Sequence, residues 1–437
     1  MKLRRNVLQP LRLEIHPQRS DAGCPNPADT RERTSISKFL RHSFGSSSEA
    51  RLLRFASRPQ GILKEYSEQR QSSIAGNLFR IANRIHASVD SVVVLSLGNS
   101  AFGAKAIAQA CGQPFWNHLS RAERGSKPRM FFIDDRSDTD TIQALLYMLG
   151  CHRPTTSNFD LDDWALLVLA ADESEKCWQL QALLSALYNQ VANDESQMRQ
   201  RLMAVAPLSG SIAKQLSVYG DYDFFASCDE PAPFQCFGPL GLLPATLLGI
   251  NIMELLAGAS WMSQHFYEAS PNENLLLRLL HALVPNNESI TRPTPLRIWN
   301  PGLLAWQDWY RDLRQMSVQS VTASGPFEFS RNASSDSGSS CEINIVVDRP
   351  RFDPIGFDDT GNSQDRMLEN IEDHLRSNCD RGIATATLRL AELDELHTGQ
   401  LMQFMLLLSA SSKLMGLSPP ETVDVRSYAH DDLENFA

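Results

Sequence analysis

The chain has 437 residues, of which 42% are hydrophobic and 21% charged, and its formal net charge is −10 at pH 7. This composition is ordinary for a globular protein, and the length is about two to three times that of a typical domain, so we expect two domains with a sizeable core. Domains that bind nucleic acid usually carry a basic excess, so the acidic balance excludes nucleic acid as an expected partner.

The cysteines are scattered along the chain, without a C-x-x-C pair or a closely spaced histidine. They are Cys24, Cys111, Cys151, Cys177, Cys228, Cys236, Cys341 and Cys379. This pattern favours reduced thiols over disulfides or a zinc site, and we expect no metal and no cofactor. Lys2, Arg4 and Arg5 are not followed by an apolar run, so we expect no secretory signal and a cytoplasmic protein.

Residues 1–55 are rich in Arg, Ser and Pro and predict a poorly ordered N-terminal arm. From about residue 60, short β-branched runs alternate with helical patterns. The predicted elements are, in chain order, strand SVVVLSLG (91–98), helix AFGAKAIAQAC (101–111), strand RMFFIDD (129–135), helix DTDTIQALLYMLG (138–150), strand WALLVLAAD (164–172) and helix EKCWQLQALLSALYNQV (175–191). This alternation predicts an α/β fold with a doubly wound, mainly parallel sheet.

The stretch PLGLLPATLLGINIMELLAGA (239–259) is long and apolar enough to suggest a membrane span. It contains Pro244, Asn251 and Glu254, however, and ionisable groups are costly near the centre of a bilayer. Its apolar residues also run all round, as in a helix buried between layers of a protein. We therefore expect a buried core helix and no membrane partner.

The remaining residues predict a second α/β unit. Its helices are expected at NLLLRLLHALV (274–284) and LLAWQDWYRDLRQM (303–316), followed by strand EINIVVD (342–348) and helices to the end, including LHTGQLMQFMLLLSASSKLMG (396–416). Trp306, Trp309 and Tyr310 have helical spacing, which favours core packing. The expected domains are 56–250 and 255–437.

The loop after the first predicted strand, LGNSAFGAKAI, contains Gly98, Asn99 and Ser100. A glycine-rich turn that opens a helix is a natural anion site, because free backbone N–H groups and the helix dipole face the ligand. These residues are therefore candidates for binding an anion. The C-terminal loops of parallel strands meet at one edge of a sheet, so we expect loops 98–103 and 170–175 to lie close together.

The segment GPLGLLPATLLGINIMELLAGA closely resembles the Val-Gly-Leu-Leu-Pro-Ala signature helix of the glucose-6-phosphate isomerase family. Other segments resemble that family's landmarks in the same order, from about residue 60 to about 430: VVVLSLGNSAFGAKAI, FFIDDRSDTDTIQALL, WALLVLAADESEKCWQL, LLAWQDWYRDL and HTGQLMQFMLLLSASSKLMGLSPPETV. The resemblance implies two sugar-isomerase (SIS-type) α/β/α domains with mainly parallel sheets and a C-terminal helical extension. It also implies a sugar-phosphate ligand, with Gly98, Asn99 and Ser100 as its candidate binding residues, a role in glycolysis and gluconeogenesis, and a homodimer or a pair with a paralogue.

Aldose–ketose isomerisation of a sugar phosphate needs an anion site, a base, and positive charge beside the developing enediolate. By resemblance, Ala170 and Ala171 stand where the family has the Ser and Lys of its phosphate loop. Pro233 stands in place of the arginine of a Gly-Gly-Arg segment, which falls on 231–233. Met316 stands in place of the glutamate that acts as base.

Two further family positions are also replaced. The family's Gln-His-Ser triplet falls on Ser339, Ser340 and Cys341, and no histidine lies between His281 and His374. The lysine near the family's C-terminus falls on Ala429. Of the pocket positions considered, Ser100 is the one retained, and the adjacent Asn99 replaces a glycine.

Two other features are weaker candidates. His397 opens a helical region and could act on a sugar ring, so it is the candidate catalytic residue, although a capping or partly exposed histidine gives the same pattern. Asp172, Glu173 and Glu175 could bind a cation, although a solvated acidic turn at a helix N-terminus is the alternative interpretation.

The residues therefore predict a family member with low or no conversion of glucose 6-phosphate to fructose 6-phosphate. Two alternatives stay open. One is a catalytically silent homologue that acts as a binding or regulatory partner, and the other is an isomerase or binder of a different, less anionic sugar.

Overall fold

The computed structural model describes residues 10–16, 34–38, 40–41, 50–151, 163–172, 177–191, 194–283, 295–318, 341–352, 363–414 and 421–422. The chain divides into two compact units. One unit is Ser57–Leu256, and the other combines Met1–Ala56 with Ala257–Ala437.

The strands, numbered in chain order, are β1 (Arg12–His16), β2 (Ser91–Leu97), β3 (Arg129–Asp134), β4 (Trp164–Ala170), β5 (Leu202–Ala206), β6 (Asp223–Ala226), β7 (Pro295–Ile298), β8 (Cys341–Arg349), β9 (Ala384–Glu392) and β10 (Glu421–Thr422). The α-helices referred to below are α1 (Ala50–Gln69), α2 (Ile74–Ser88), α3 (Phe102–Cys111), α4 (Thr139–Met148), α5 (Trp178–Gln190), α6 (Glu195–Arg201), α7 (Ser211–Leu216), α8 (Pro239–Leu247), α9 (Ile252–Glu268), α10 (Leu275–Leu283), α11 (Leu304–Val318), α12 (Ser363–Asp380) and α13 (Glu395–Leu414).

The sheet of the 57–256 unit has the strand order β3-β2-β4-β5-β6, and every pairing in it is parallel. All seven residues of β2 and all seven of β4 are buried. Strands covered on both faces read as continuous apolar runs, which is why the sequence predicted β2 and β4. The α/β class with a mainly parallel sheet is confirmed.

Helix starts in this unit follow the expected capping chemistry. The carboxylate of Asp138 accepts a hydrogen bond from the backbone N–H of Thr141 at 2.8 Å and caps α4. The hydroxyl of Ser73 accepts from the N–H of Gly76 at 3.0 Å and caps α2. Such caps satisfy N–H groups that have no partner within the helix.

The second sheet has the order β1-β9-β8-β7-β10, and β1 is the antiparallel member. Strand β9 corrects the expectation of helices to the end of the chain. Its alternation of small and polar residues, ATATLRLAE, is a weak strand signal. In the core of this unit, Trp306, Trp309 and Tyr310 are fully buried, as predicted, with the rings of Trp306 and Tyr310 stacked 5.2 Å apart.

Strand β1 lies within the segment expected to be a poorly ordered arm, and for these five residues the expectation was wrong. Leu11 and Leu13 are buried, while Glu14 accepts a hydrogen bond at 2.8 Å from Arg389 on β9. The strand is too short for its period-2 pattern to stand out among the charged and proline residues around it.

The apolar stretch 239–259 is buried as expected, but it forms two helices and not one. Gly249 ends α8 with a positive φ of +76°, and the N–H of Ile250 reaches back to the carbonyl of Ala245 at 3.0 Å. This is a glycine-dependent helix stop. Asn251 immediately precedes α9, and its carbonyl accepts from the N–H of Leu255 at 3.1 Å. Among the described helices, none is both long and apolar enough to cross a membrane.

Candidate sugar-binding edge

The loops after β2 and β4 meet at the carboxyl edge of the first sheet. The backbone N–H of Ala171 donates to the hydroxyl oxygen of Ser100 at 2.8 Å, and that hydroxyl donates to the carbonyl of Leu97 at 2.7 Å. Ser100 is buried, with 5% of its surface exposed. The predicted proximity of the two loops is confirmed, because neighbouring parallel strands deliver their ends to the same edge.

Gly98 is the residue at which the first loop turns. Its φ is +59°, a left-handed conformation that favours glycine, and a Cβ there would meet nothing within 4 Å. Its backbone N–H donates to a carboxylate oxygen of Asp135 at 3.0 Å. The backbone N–H of Gly98, which the sequence suggested as a donor to a ligand anion, is therefore already bonded to a carboxylate of the protein.

Asp135 is held in place by Gln179 at the start of α5. The amide nitrogen of Gln179 donates to the carbonyl of Asp135 at 2.7 Å and to the carbonyl of Ser137 at 2.9 Å. The Gln179 side chain is 2% exposed, and its Oε1 has no hydrogen-bond partner in the part of the chain that the structure describes. The preceding residue, Trp178, is 48% exposed.

The loop after β4 offers no cation in its described residues. Ala170 and Ala171 are buried, and Asp172 is exposed. The hydroxyl of Ser227 donates to the carbonyl of Ala171 at 3.1 Å, so the loop after β6 joins the same edge. Glu173 and Glu175 lie outside the described residues.

Sequence reasoning missed an arginine near the 231–233 segment. Arg58 on α1 forms an ion pair with Glu230, whose side chain is 1% exposed. The amide of Gln235 braces the same turn, accepting from the N–H of Cys228 at 3.0 Å and donating to the Cys228 carbonyl at 3.0 Å. The ion pair joins residues 172 positions apart, so no local pattern could have revealed it.

His397 belongs to the other compact unit and is 4% exposed. Its Nδ1 lies 2.7 Å from the carboxylate of Asp394, which also accepts from the backbone N–H of His397 at 2.8 Å. Burial alone would raise the pKa of Asp394, but the hydrogen bonds from His397 outweigh it and lower that pKa. His397 is therefore buried, and Asp394 is the residue that caps the helix, so the histidine is neither the cap nor partly exposed.

Glu392 lies beside that pair. One ligand atom from each of Glu392, Asp394 and His397 falls within 4.8 Å of the others, a spacing in which a metal ion could be held. The sequence had indicated no metal site. The Asp394–His397 hydrogen bond gives these side chains a structural role without an ion.

The other positions mapped by resemblance are described only in part. Met316 lies in α11, and its side chain is outside the described residues. Cys341 begins β8. Ser339, Ser340 and Ala429 fall outside the described residues.

Comparison with known proteins gives relatives over most of the chain, although no family model matches it. A glucose-6-phosphate isomerase from Bacillus cytotoxicus is 22% identical over 379 residues, which is 80% of this chain and 80% of that protein. A glucose-6-phosphate isomerase from Bacillus cereus (strain AH187) is 22% identical over 378 residues, with the same coverage.

Two solved structures share the fold. A hypothetical protein from Thermus thermophilus has a TM-score of 0.68 at 18% identity, over 98% of this chain and 100% of its own. A glucose-6-phosphate isomerase from Chlamydia trachomatis has a TM-score of 0.61 at 16% identity, over 94% of this chain and 84% of its own. The likeness confirms the expected fold class, α/β units with mainly parallel sheets, as in these structures.

Proposed function

We propose that this chain is a divergent member of the glucose-6-phosphate isomerase family, which it resembles along most of its length, and that it keeps the family's fold without the family's rate of reaction. We expect its conversion of glucose 6-phosphate to fructose 6-phosphate to be at least about 10³-fold slower than that of an ordinary member. A loss of that size is expected when a single key electrostatic or base function is removed.

The observation that carries this proposal is the internal use of the N–H groups at the carboxyl edge. The N–H of Gly98 donates to the Asp135 carboxylate, and the N–H of Ala171 donates to Ser100. A phosphate dianion at this edge would meet the Asp135 carboxylate, while the neighbouring exposed cation, Arg136, is paired with Asp134. Two like unit charges about 4 Å apart repel by about 4 kcal/mol at an effective dielectric constant of about 20.

The mapped chemical groups support the same conclusion. In our assignment, Met316 replaces the base, and a thioether cannot accept the proton that moves between adjacent carbons. Pro233 and Ala429 replace two cations, and neither side chain offsets charge on an enediolate. Arg58 lies near the first of these positions, but its charge is already balanced by Glu230.

Several broader assignments belong to the proposal. We assign residues 56–250 to the first sugar-isomerase domain and 255–437 to the second, with 1–55 preceding them. Gly98, Asn99 and Ser100 are the assigned remnant of the sugar-phosphate site. A cytoplasmic location, a link to glycolysis and gluconeogenesis, and assembly as a homodimer or with a paralogue rest on the family alone.

The experiment is a turnover assay on the purified full chain with glucose 6-phosphate as substrate. The chain is produced in a host that lacks its own isomerase, because trace contamination would mimic a slow enzyme. We expect no turnover above that of a Ser100→Ala and a His397→Ala preparation. Robust turnover that survives repurification and is abolished by either substitution would overturn the proposal.

A further inference from the structure

The tips of β3, β2 and β4 form an edge rich in hydrogen-bond acceptors. Asp135 uses one carboxylate oxygen for the N–H of Gly98, and an ionised carboxylate offers about four lone-pair sites in all. Gln179, on the adjacent start of α5, turns both N–H groups of its amide toward the 135–137 loop. Its carbonyl oxygen is therefore left over as an acceptor.

No described residue donates a hydrogen bond to Oε1 of Gln179, which indicates that a donor is missing from this place. The residue is only 2% exposed, and Oε1 has no partner within the described residues. Buried polar groups in folded proteins are almost always hydrogen-bonded, and each exception needs an explanation such as a missing ligand or water. Here the missing group must donate a proton, since a carbonyl oxygen can only accept.

Carboxylates set the charge of the edge, because Arg136, the exposed cation beside Asp135, is paired with Asp134. Asp135 also lies close enough to the Cys177 thiol, at the start of α5, to add to the effect of burial in raising that thiol's pKa. Asp172 is exposed at the tip of β4. A phosphate dianion brings acceptors and negative charge to this place, whereas a sugar hydroxyl brings a donor and no charge.

We propose that this edge binds an uncharged, hydroxyl-rich ligand, an unphosphorylated sugar or polyol, whose hydroxyl groups donate to Asp135. Trp178 supplies an aromatic surface at the same helix start, since pockets for such ligands combine a few polar groups with aromatic side chains. The inference rests on the proposed function, and it names the ligand class that replaces the sugar phosphate.

The test measures binding to the full chain by saturation-transfer NMR, with glucose as the cyclic probe, sorbitol as the open-chain probe and inorganic phosphate as the anionic probe. We expect saturable binding of glucose or sorbitol and none of phosphate at the same concentration. Asp135→Asn should weaken binding at least about tenfold, the effect of losing a charged acceptor. Asp140→Asn, which removes an exposed carboxylate in the first turn of α4, should not change it.

A second pair of variants guards against misfolding of Asp135→Asn. Trp178→Ala removes a half-exposed ring and should weaken binding severalfold, whereas Tyr147→Ala removes a ring that is 74% exposed and should not. Absence of saturable binding, equal binding of phosphate, or an equal effect of the control variants would overturn the inference. None of these readouts involves turnover, so they leave the proposed loss of isomerase activity standing, whereas robust turnover of glucose 6-phosphate would overturn that proposal instead.

Discussion

The hydroxyl of Ser100 joins two loops, accepting from the backbone N–H of Ala171 at 2.8 Å while it donates to the carbonyl of Leu97 at 2.7 Å. Both bonds are buried. The Ser100 side chain therefore fixes the spacing between the ends of β2 and β4. The bond uses the backbone N–H of Ala171, which is then not available to a bound anion.

Ser100→Ala should lower the free energy of unfolding by about 1–3 kcal/mol, because it leaves the buried N–H of Ala171 without an acceptor. Urea denaturation followed by circular dichroism measures the change. Ser67→Ala is the matched control, since Ser67 bonds an exposed helical carbonyl, and it should shift stability by less than about 0.5 kcal/mol. Equal effects of the two substitutions would contradict the structural role of Ser100.

Gly258 on α9 marks a close approach of two backbone segments. A Cβ at this position would lie 1.9 Å from the carbonyl oxygen of Leu396, and backbone cannot swing aside as a side chain can. Gly258→Ala should therefore destabilise the chain by about 1–3 kcal/mol or more.

The matched control is Gly61→Ala in the exposed interior of α1, where a Cβ meets nothing within 4 Å. This change should stabilise by roughly 0.5–1 kcal/mol, because alanine loses less backbone entropy than glycine in a helix. Melting temperatures of the two variants should move in opposite directions. A shift in the same direction would show that the contact at Leu396 is loose.

Glu342 sits in a buried cluster between β8, β7 and α12. Its Oε1 lies 2.7 Å from Nε2 of His374, and its other oxygen accepts from Nη2 of Arg297 at 3.3 Å. Burial by itself would raise the pKa of Glu342, but the hydrogen bonds from His374 and Arg297 outweigh it and lower the pKa to about 2.

A carboxyl whose pKa is lower in the folded state stabilises the fold above its unfolded pKa of about 4.5, and that stability is lost as the pH falls toward about 2. The shift corresponds to about 3 kcal/mol, since each pKa unit is worth about 1.4 kcal/mol. Wild type should thus exceed Glu342→Gln in unfolding free energy near neutral pH, and the gap should close below about pH 4.5. Urea titrations across this range measure it, and a gap that does not depend on pH would refute the assignment.

The thiol of Cys236 should react slowly with alkylating reagents. Burial raises its pKa to about 12, and only 2% of its surface is exposed. Because the thiolate is the reactive form, iodoacetamide at about pH 8 should label the half-buried Cys111 and Cys379 long before Cys236 in the native chain. Peptide mass spectrometry reports the order, and labelling in urea should abolish the difference. Early modification of Cys236 in the native chain would contradict the burial.

The sequence predicted the elements whose signal is local. Strands β2, β3 and β4 are largely apolar runs, each with a glycine or an aspartate within two residues of its end. Strand β5, LMAVA, was not predicted, because five apolar residues between Arg201 and Pro207 read equally well as the end of a helix.

The candidate site was likewise predictable only where its signal is local in the sequence. Loop 98–100 was found from its glycine and its position after a strand, but the bond from Gly98 to Asp135 was not. That bond depends on a side chain reaching across 37 positions of sequence, and only the parallel pairing of β2 with β3 brings the two together. Likewise, the burial of His397 and its bond to Asp394 could not be read from its sequence context, which suggested a capping or partly exposed histidine.

During synthesis, strand β1 cannot pair until β9 has been made. Glu14 and Arg389, which bond across these strands, are 375 positions apart. At about 5–20 residues per second, a ribosome needs roughly 20 to 75 seconds to make the partner of a strand that emerges near the start of the chain. Residues 57–256 are all synthesised within that interval, so their unit can finish folding while Leu11 and Leu13, buried in the finished protein, are still in contact with water.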